Sequence, residues 1–119
     1  MNLALPVFQA RVSPRFDCAP ELLVVTLSDG RETDRTLYPT PDWTREQRLT
    51  KLIQLSVDTV ICGGVDRYSA ERMNAYHITV YPWVTGKVAD IIQCYLQGRL
   101  VKGGMIGEGG CFRGCWRFR

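Results

Sequence analysis

The feature that most constrains the fold is an uninterrupted apolar run near the start of the chain, NLALPVF at residues 2–8. A strand that is apolar on both faces needs a covering layer on each side, which is typical of α/β proteins. Further strands are predicted at 21–28 and 31–39, because the Asp29-Gly30 pair between them favours a tight hairpin. The 31–39 segment is more polar, so it is predicted at the edge of the sheet.

Helical and strand patterns alternate in the rest of the chain. The segment 39–56 begins with turn residues, after which apolar side chains recur at helical spacing. Thr44 is the predicted N-cap of this helix, and Gln47 completes a capping box with it. Two more helices and two more strands follow from the same patterns: helices at 66–77 and 86–100, strands at 57–64 and 78–82.

This succession, three strands followed by alternating helices and strands, predicts a mixed five-stranded sheet with helices on both faces. The first three strands form a meander, and right-handed crossovers then add strands four and five beside strand one. The predicted strand order is 3-2-1-4-5, as in the ribonuclease H-like fold. Residues 1–100 are therefore expected to form one α/β domain.

The last residues, 101–119, form a Gly-, Cys- and Arg-rich segment without the periodicity of a core, and a flexible tail is predicted there. Residues 99–119 hold five basic side chains against one acidic side chain, a net charge of +4, whereas the rest of the chain carries −1. A basic tail on a nearly neutral body indicates an anionic partner. Core packing does not account for Cys111 and Cys115 in this tail, but two cysteines supply only half of a tetrahedral metal site.

The cysteine count bears on the cellular compartment. The chain has five cysteines, and an odd number argues against a closed framework of disulfides. Residues 1–16 lack the basic start of a signal peptide, and no stretch approaches the roughly 20 apolar residues that cross a membrane. We therefore expect a cytoplasmic protein whose thiols are buried residues, redox groups or ligands of soft metals.

A candidate site follows from the predicted topology. Strands one and four are expected to be parallel neighbours, so their carboxyl ends meet at one edge, the usual ligand crevice of open α/β sheets. Strand four ends at Cys62-Gly63-Gly64, where the glycines would let a ligand approach the backbone. Strand one leads into loop 9–20, which carries the candidate residues Ser13, Arg15, Asp17 and Cys18. Cys18 and Cys62 are thus expected at one rim as candidate metal ligands.

The cysteines and the single histidine also fit structural roles. Cys62 follows a run of Val and Ile, which by itself fits a core position better than a ligand. Cys18 lies in a loop and fits either role. Cys94 lies beside the apolar face of the last helix and fits a packing role. His77 lies in a helix-to-strand turn and fits a solvated ring better than a ligand.

The sequence does not favour enzyme chemistry. A ribonuclease H-like nuclease needs a carboxylate on its first strand to hold magnesium, and residues 2–8 contain none. The sequence also lacks a P-loop, a G-x-G-x-x-G loop and a G-x-S-x-G elbow. A Cys/His nucleophile pair is disfavoured, because His77 precedes strand five at the edge opposite Cys18 and Cys62. We therefore expect a protein without catalytic activity.

Two stretches of the chain carry a family resemblance. Residues 4–32, with ALPVFQARVSPRFDCAP, and residues 57–100, with VDTVICGGVDRYSAERMNAYH, resemble the dinitrogenase iron-molybdenum cofactor biosynthesis family. The resemblance implies a ribonuclease H-like domain that carries iron–sulfur or molybdenum-containing clusters, or hands them over to donor and acceptor proteins, without being a catalyst. The positions that match the family are Ser13, Phe16 and Cys18 in the first loop, and Cys62-Gly63-Gly64 after strand four.

The first loop also departs from the family pattern. Many members have His-Phe-Gly where this chain has Arg15-Phe16-Asp17, so a histidine ligand expected there is missing. Thiolates from Cys18 and Cys62 are an alternative donor set, soft enough for iron or copper. The tail resembles those of some stand-alone members, and its thiols and guanidinium groups could capture, cover or release an anionic cluster at the rim.

A second class of function stays open, a nucleic-acid or protein interaction module that acts through the tail. Aromatic and basic side chains interleave there: Phe112, Arg113, Trp116, Arg117, Phe118 and Arg119. Aromatic rings stack on unpaired bases while arginines contact phosphates. The edge strand and the tail leave room for a homodimer as well as a monomer.

Overall fold

The computed structural model of the chain describes residues 1–98, together with 104–106 and 112–115. Its strands are β1 (Asn2–Phe8), β2 (Arg11–Val12), β3 (Glu21–Ser28), β4 (Arg31–Pro39), β5 (Thr59–Ile61), β6 (Thr79–Tyr81), β7 (Gly104–Ile106) and β8 (Phe112–Cys115). Its helices are α1 (Arg45–Gln54), α2 (Arg67–Ala75) and α3 (Val88–Leu96).

The main sheet has the predicted strand order. Its strands follow one another as β4-β3-β1-β5-β6, with β1 parallel to β5 and β5 parallel to β6. The prediction of five strands was wrong, because β2 pairs with β1 and makes the sheet six-stranded. Gln9 and Ala10 both adopt positive φ, and they close a two-residue turn inside the predicted loop 9–20.

Both faces of β1 are covered, as its apolar run predicts. Leu3 and Leu5 pack in one cluster with Ile91 of α3. Ala4 points to the other face and packs in a second cluster with Leu49 of α1. Helices α1 and α2 therefore cover one face of the sheet, and α3 covers the other.

Local sequence signals define the start of α1. Thr44 Oγ1 accepts a hydrogen bond from the backbone N–H of Gln47 at 3.1 Å, and Gln47 Oε1 accepts one from the Thr44 N–H at 2.7 Å. The predicted capping box is confirmed. The capping box orients the first turn of α1, the helix that packs against Phe16 of loop 9–20.

Strand β4 lies at the edge of the sheet, as its polar sequence predicts. It is exposed along nearly its whole length, and an irregularity opposite Thr26 and Leu27 interrupts its register with β3. Charged side chains and bulges of this kind protect an edge strand from pairing with another chain.

The segment predicted to be a flexible tail contains two short strands. Strands β7 and β8 pair antiparallel, with Gly104 opposite Cys115 and Ile106 opposite Phe112. The sequence pattern predicts no strand there, because glycines are frequent and apolar and polar residues do not alternate.

Candidate functional site

The carboxyl ends of β1 and β5 meet, and the loops that follow them are joined backbone to backbone. Gly64 N–H donates to the carbonyl of Pro14 at 2.6 Å, and Phe16 N–H donates to the carbonyl of Gly64 at 2.8 Å. Arg15 and Gly64 form an isolated parallel bridge. The prediction that loop 9–20 and residues 62–64 share one rim is confirmed.

Position 63 requires glycine for a reason that differs from the predicted one. A Cβ atom at this position would lie 2.5 Å from the carbonyl oxygen of Ser13 and 2.6 Å from that of Pro14, closer than side chains tolerate. The glycines were expected to let a ligand approach the backbone. At Gly63 the space is instead filled by the chain's own first loop, which presses against β5.

Two of the predicted site residues lie beneath the loop surface. Ser13 is buried, and its hydroxyl donates to the carbonyl of Arg15 at 3.0 Å, closing a local turn. Phe16 is buried in the core cluster that α1 and α2 cover. Both side chains shape and anchor the loop from below.

The Cys62 thiol lies within the core. Its side chain is 0% exposed and belongs to the same cluster as Val60 and Met73. Burial raises the pKa of the Cys62 thiol to about 12, because the surroundings cannot solvate a thiolate. The structure therefore favours the packing role for Cys62, and its thiol does not open onto the rim in this conformation.

The exposed part of the rim is a groove of about 390 Å³. Its walls are formed by Phe8, Ser13, Pro14, Arg15, Cys18 and Pro20. Most of this lining is apolar, and Cys18 contributes an exposed thiol to it. Of the residues predicted from the sequence, Arg15 and Cys18 are thus the exposed ones that line the groove.

The charge at the groove comes from an ion pair on its rim. Arg15 donates to the Asp17 carboxylate from Nε at 3.1 Å and from Nη2 at 2.9 Å. The hydrogen bonds and the charge of Asp17 raise the pKa of Arg15 above its ordinary value. The guanidinium group is two-thirds exposed and retains N–H groups that can bind an anion.

Arg48 is a further residue of this region, and no sequence pattern predicts its role. It lies in α1 but is only 5% exposed, and its Nη1 donates to the carbonyl of Ala19 at 2.8 Å. Its Nη2 donates to the carbonyl of Thr40 at 2.9 Å. Arg48 thereby holds the backbone just after Cys18, and burial lowers its pKa.

An Arg48→Ala substitution is expected to lower the free energy of unfolding by about 2 kcal/mol, through lost hydrogen bonds and a cavity under the loop. Urea denaturation measures this change. Arg45→Ala is the matched control, because Arg45 is an exposed arginine of the same helix whose contact with Asp66 is a surface ion pair. Its expected cost is below about 1 kcal/mol, and equal effects of the two substitutions would contradict the anchoring role of Arg48.

Trp83 also lies at this edge, two residues after the end of β6, and sequence reasoning missed it. Its backbone has φ of 62°, a left-handed conformation that is rare for a bulky residue. The backbone N–H of Trp83 donates to the carbonyl of Gly63 at 2.9 Å, and a Cβ built on Gly64 would lie 3.3 Å from Cζ3 of its ring. The only signal in the sequence is Pro82, which ends a strand at the same edge as the predicted site.

The remaining candidate ligands do not converge on the groove within the described residues. Cys94 is buried in the cluster under α3, and His77 is exposed at the opposite edge of the sheet. Cys111 lies outside the described residues, and for Cys115 the described feature is its backbone at the end of β8. In the described part of the chain, no group of three or more His, Cys, Asp or Glu side chains could hold a metal ion.

The similarity to a known protein family covers the whole α/β domain. The sequence model of the family described as "Dinitrogenase iron-molybdenum cofactor" matches residues 1–98. No curated protein matches the sequence.

Solved structures share this fold at low sequence identity. The crystal structure of the protein PH0822 has a TM-score of 0.79 at 20% identity, over 84% of this chain and 92% of that one. A provisionally named dinitrogenase from Methanocaldococcus jannaschii has a TM-score of 0.71 at 17% identity, over 86% and 93% of the two chains. A provisionally named NifB protein from Thermotoga, placed in the DUF35 family, has a TM-score of 0.69 at 22% identity, over 91% and 98%. At such identities the likeness concerns the fold.

Proposed function

This chain belongs to the dinitrogenase iron-molybdenum cofactor family, and on that basis we propose that it is a non-enzymatic accessory protein that binds and carries an iron–sulfur or molybdenum-containing cluster. The cluster is cargo, received from one metallocluster protein and delivered to another. Its proposed place of attachment is the groove at the carboxyl edge of β1, with Cys18 as the thiolate ligand.

The observation that carries this proposal is the pairing of an exposed thiol with an exposed guanidinium group on one groove. Cys18 and Arg15 both line it, and its other walls are largely apolar. Thiolates bind iron, copper and molybdenum sulfide species, and guanidinium N–H groups bind anionic sulfide or oxide atoms. Each side chain therefore fits a different part of an anionic metal–sulfur cargo.

The donor set supports a carrier better than a protein with a resident cluster. Stable iron–sulfur sites use four protein ligands, whereas this groove offers one cysteine thiol among the described residues. A cargo held by one thiolate and by hydrogen bonds keeps open positions, so a partner can add its own ligands during transfer. Cys111 and Cys115 are proposed as further thiolate donors, whereas Cys62 could join only if the loop above it opened.

The proposed partners are metallocluster donor and acceptor proteins. Among the described residues no helix is long and apolar enough to cross a membrane. We propose that the exchange takes place in the cytoplasm, where thiols stay reduced. The chain is proposed to act as a monomer or homodimer.

The experiment that tests this function is anaerobic loading of the purified protein. Ferrous iron with sulfide, and separately tetrathiomolybdate, are added, and bound metal and sulfide are measured after desalting together with the visible spectrum. The wild type is expected to retain roughly one cargo per chain. Cys18→Ser is expected to weaken retention about tenfold or more, because a hydroxyl is a poor ligand for these metals.

Two further variants locate the site. Cys62→Ala is expected to load like the wild type, since its thiol is buried. A double Cys111→Ser/Cys115→Ser variant measures the contribution of the tail. Wild-type protein that stays colourless and metal-free under both conditions would contradict the carrier function.

A further inference from the structure

The last residue of β1, Phe8, is an exposed aromatic wall of the groove. Side chains alternate between the two faces along a strand. Val7 packs in the cluster under α3, so Phe8 points to the opposite face of the sheet, as Ala4 does. Ala4 is buried there, whereas Phe8 belongs to neither core cluster of the described residues and is 47% exposed. The covering helices therefore end short of this ring.

Strand pairing fixes the backbone of Phe8. It lies opposite Arg11 of β2, while Val7 lies opposite Glu21 of β3. The next pair in the register of β1 with β3 would be Phe8 and Pro20, and both of them line the groove. Neither side chain has a hydrogen-bonding group, so this side of the groove is an apolar wall held by the sheet.

Within the described part of the chain, two exposed side chains supply polar chemistry to the groove. They are the Cys18 thiol and the Arg15 guanidinium group, because the Ser13 hydroxyl is buried and donates to the carbonyl of Arg15. A ligand that fills the groove and contacts these two groups has its remaining atoms against Phe8 and the prolines. Those atoms lose water and gain no hydrogen bond in return.

The cost of that lost water depends on the terminal atoms of the ligand. Oxide atoms are small and hold concentrated negative charge, so removing their water without replacement is strongly unfavourable. Sulfide atoms spread the charge over a larger and more polarizable atom, and sulfur packs favourably against aromatic rings. Cys18 acts in the same direction, since thiolates select soft metals and iron–sulfur centres.

We propose that Phe8 is a specificity-determining residue of this groove, which makes it accept metal anions that end in sulfide atoms and reject those that end in oxide atoms. This inference rests on the proposed function and narrows the cargo to thiometallates and iron–sulfur species. Arg15 attracts anions of both kinds, and Cys18 binds the metal. Phe8 separates the two kinds through the water that each must lose.

The test compares tetrathiomolybdate with molybdate by anaerobic equilibrium dialysis and molybdenum analysis. Both are tetrahedral dianions of the same metal, so the ratio of their dissociation constants reports on the terminal atoms. The full-length wild type is expected to bind tetrathiomolybdate about a hundredfold more tightly than molybdate. Phe8→Ser is expected to bind tetrathiomolybdate about tenfold more weakly than the wild type. Its affinity for molybdate is expected not to fall, because the wall becomes polar, so the ratio drops to about tenfold.

Two variants separate specificity from structure. Phe8→Leu keeps an apolar wall and is expected to keep most of the wild-type ratio. Leu37→Ser is the matched control, because Leu37 is 50% exposed but lies opposite Leu23, which packs in the cluster on the α3 side of the sheet. Both dissociation constants of this control are expected to equal those of the wild type.

A merely structural role for Phe8 would weaken the binding of both anions alike. An unchanged ratio in Phe8→Ser, or a wild type that binds molybdate as tightly as tetrathiomolybdate, would overturn this inference and leave the carrier function intact. A wild type that binds neither anion would also overturn it. The carrier function itself would fail only if iron with sulfide were not retained either.

Discussion

Replacing Gly63 by alanine is expected to lower the free energy of unfolding by about 3 kcal/mol or more, the range of severe overpacking. The new Cβ would lie 2.5 Å from the carbonyl oxygen of Ser13 and 2.6 Å from that of Pro14. Both contacts are with backbone atoms, which cannot move aside as the end of a flexible side chain could. The first loop must separate from β5, and the melting temperature is expected to fall by roughly 10 °C.

Gly64→Ala is the matched control for this experiment. A Cβ there would lie 3.2 Å from the carbonyl oxygen of Pro14 and 3.3 Å from the Trp83 ring, which small shifts can accommodate. Neither glycine has a φ in the left-handed region, so conformational strain does not separate them. Alanine also restricts the unfolded chain, which offsets part of any cost. The expected loss at Gly64 is below about 1 kcal/mol, and a Gly63→Ala protein of wild-type stability would refute the docking of the loop on β5.

Alkaline conditions are expected to destabilise the fold through Cys62. Burial raises the pKa of this thiol from 9.0 to about 12. Between these values the unfolded chain loses the proton and the folded chain keeps it, so stability is fully present below pH 9 and declines as pH rises. The slope approaches about 1.4 kcal/mol per pH unit above pH 9, hence a loss of roughly 2 kcal/mol between pH 9 and pH 11.

Urea denaturation from pH 8 to pH 11 measures this effect as a difference between proteins. Cys62→Ala removes the titrating group. The free energy of unfolding of the wild type should therefore fall toward, or below, that of this variant as pH rises. Val60→Ala truncates a neighbouring apolar side chain in the same cluster and has no titratable group. Its difference from the wild type is therefore expected to stay constant with pH. A constant difference for Cys62→Ala as well would show that the thiol is hydrated in the folded protein.

The strand order was predictable because the relevant signals are local and strong. The apolar run of β1 requires layers on both faces, and the Asp29-Gly30 turn pairs β3 with β4. The handedness of crossovers then leaves one place for β5, beside β1. Strand β2 escaped prediction because its turn uses Gln9 and Ala10 in place of the asparagine and glycine that mark such turns.

Which side chains face the groove was less predictable. The topology implied that Cys18 and Cys62 end up at the same rim, but the direction of a side chain at the end of a strand depends on the packing around it. Arg48 had no local signal, and Trp83 had only the preceding Pro82, because the sequence does not distinguish an exposed tryptophan or a buried arginine from others of the same type. Their roles follow from contacts with residues distant in the chain.

The sequence by itself determined the layers, the strand order and the edge at which a site can form, since these follow from hydrophobic period, turn residues and chirality. Only the tertiary structure decided that Gly63 makes room for the chain's own loop, that the Cys62 thiol is buried, and that Cys18, Arg15 and Trp83 are the exposed groups. The physical reason is that burial and close approach depend on distances between segments far apart in the chain. A period of two or 3.6 residues carries no information about those distances.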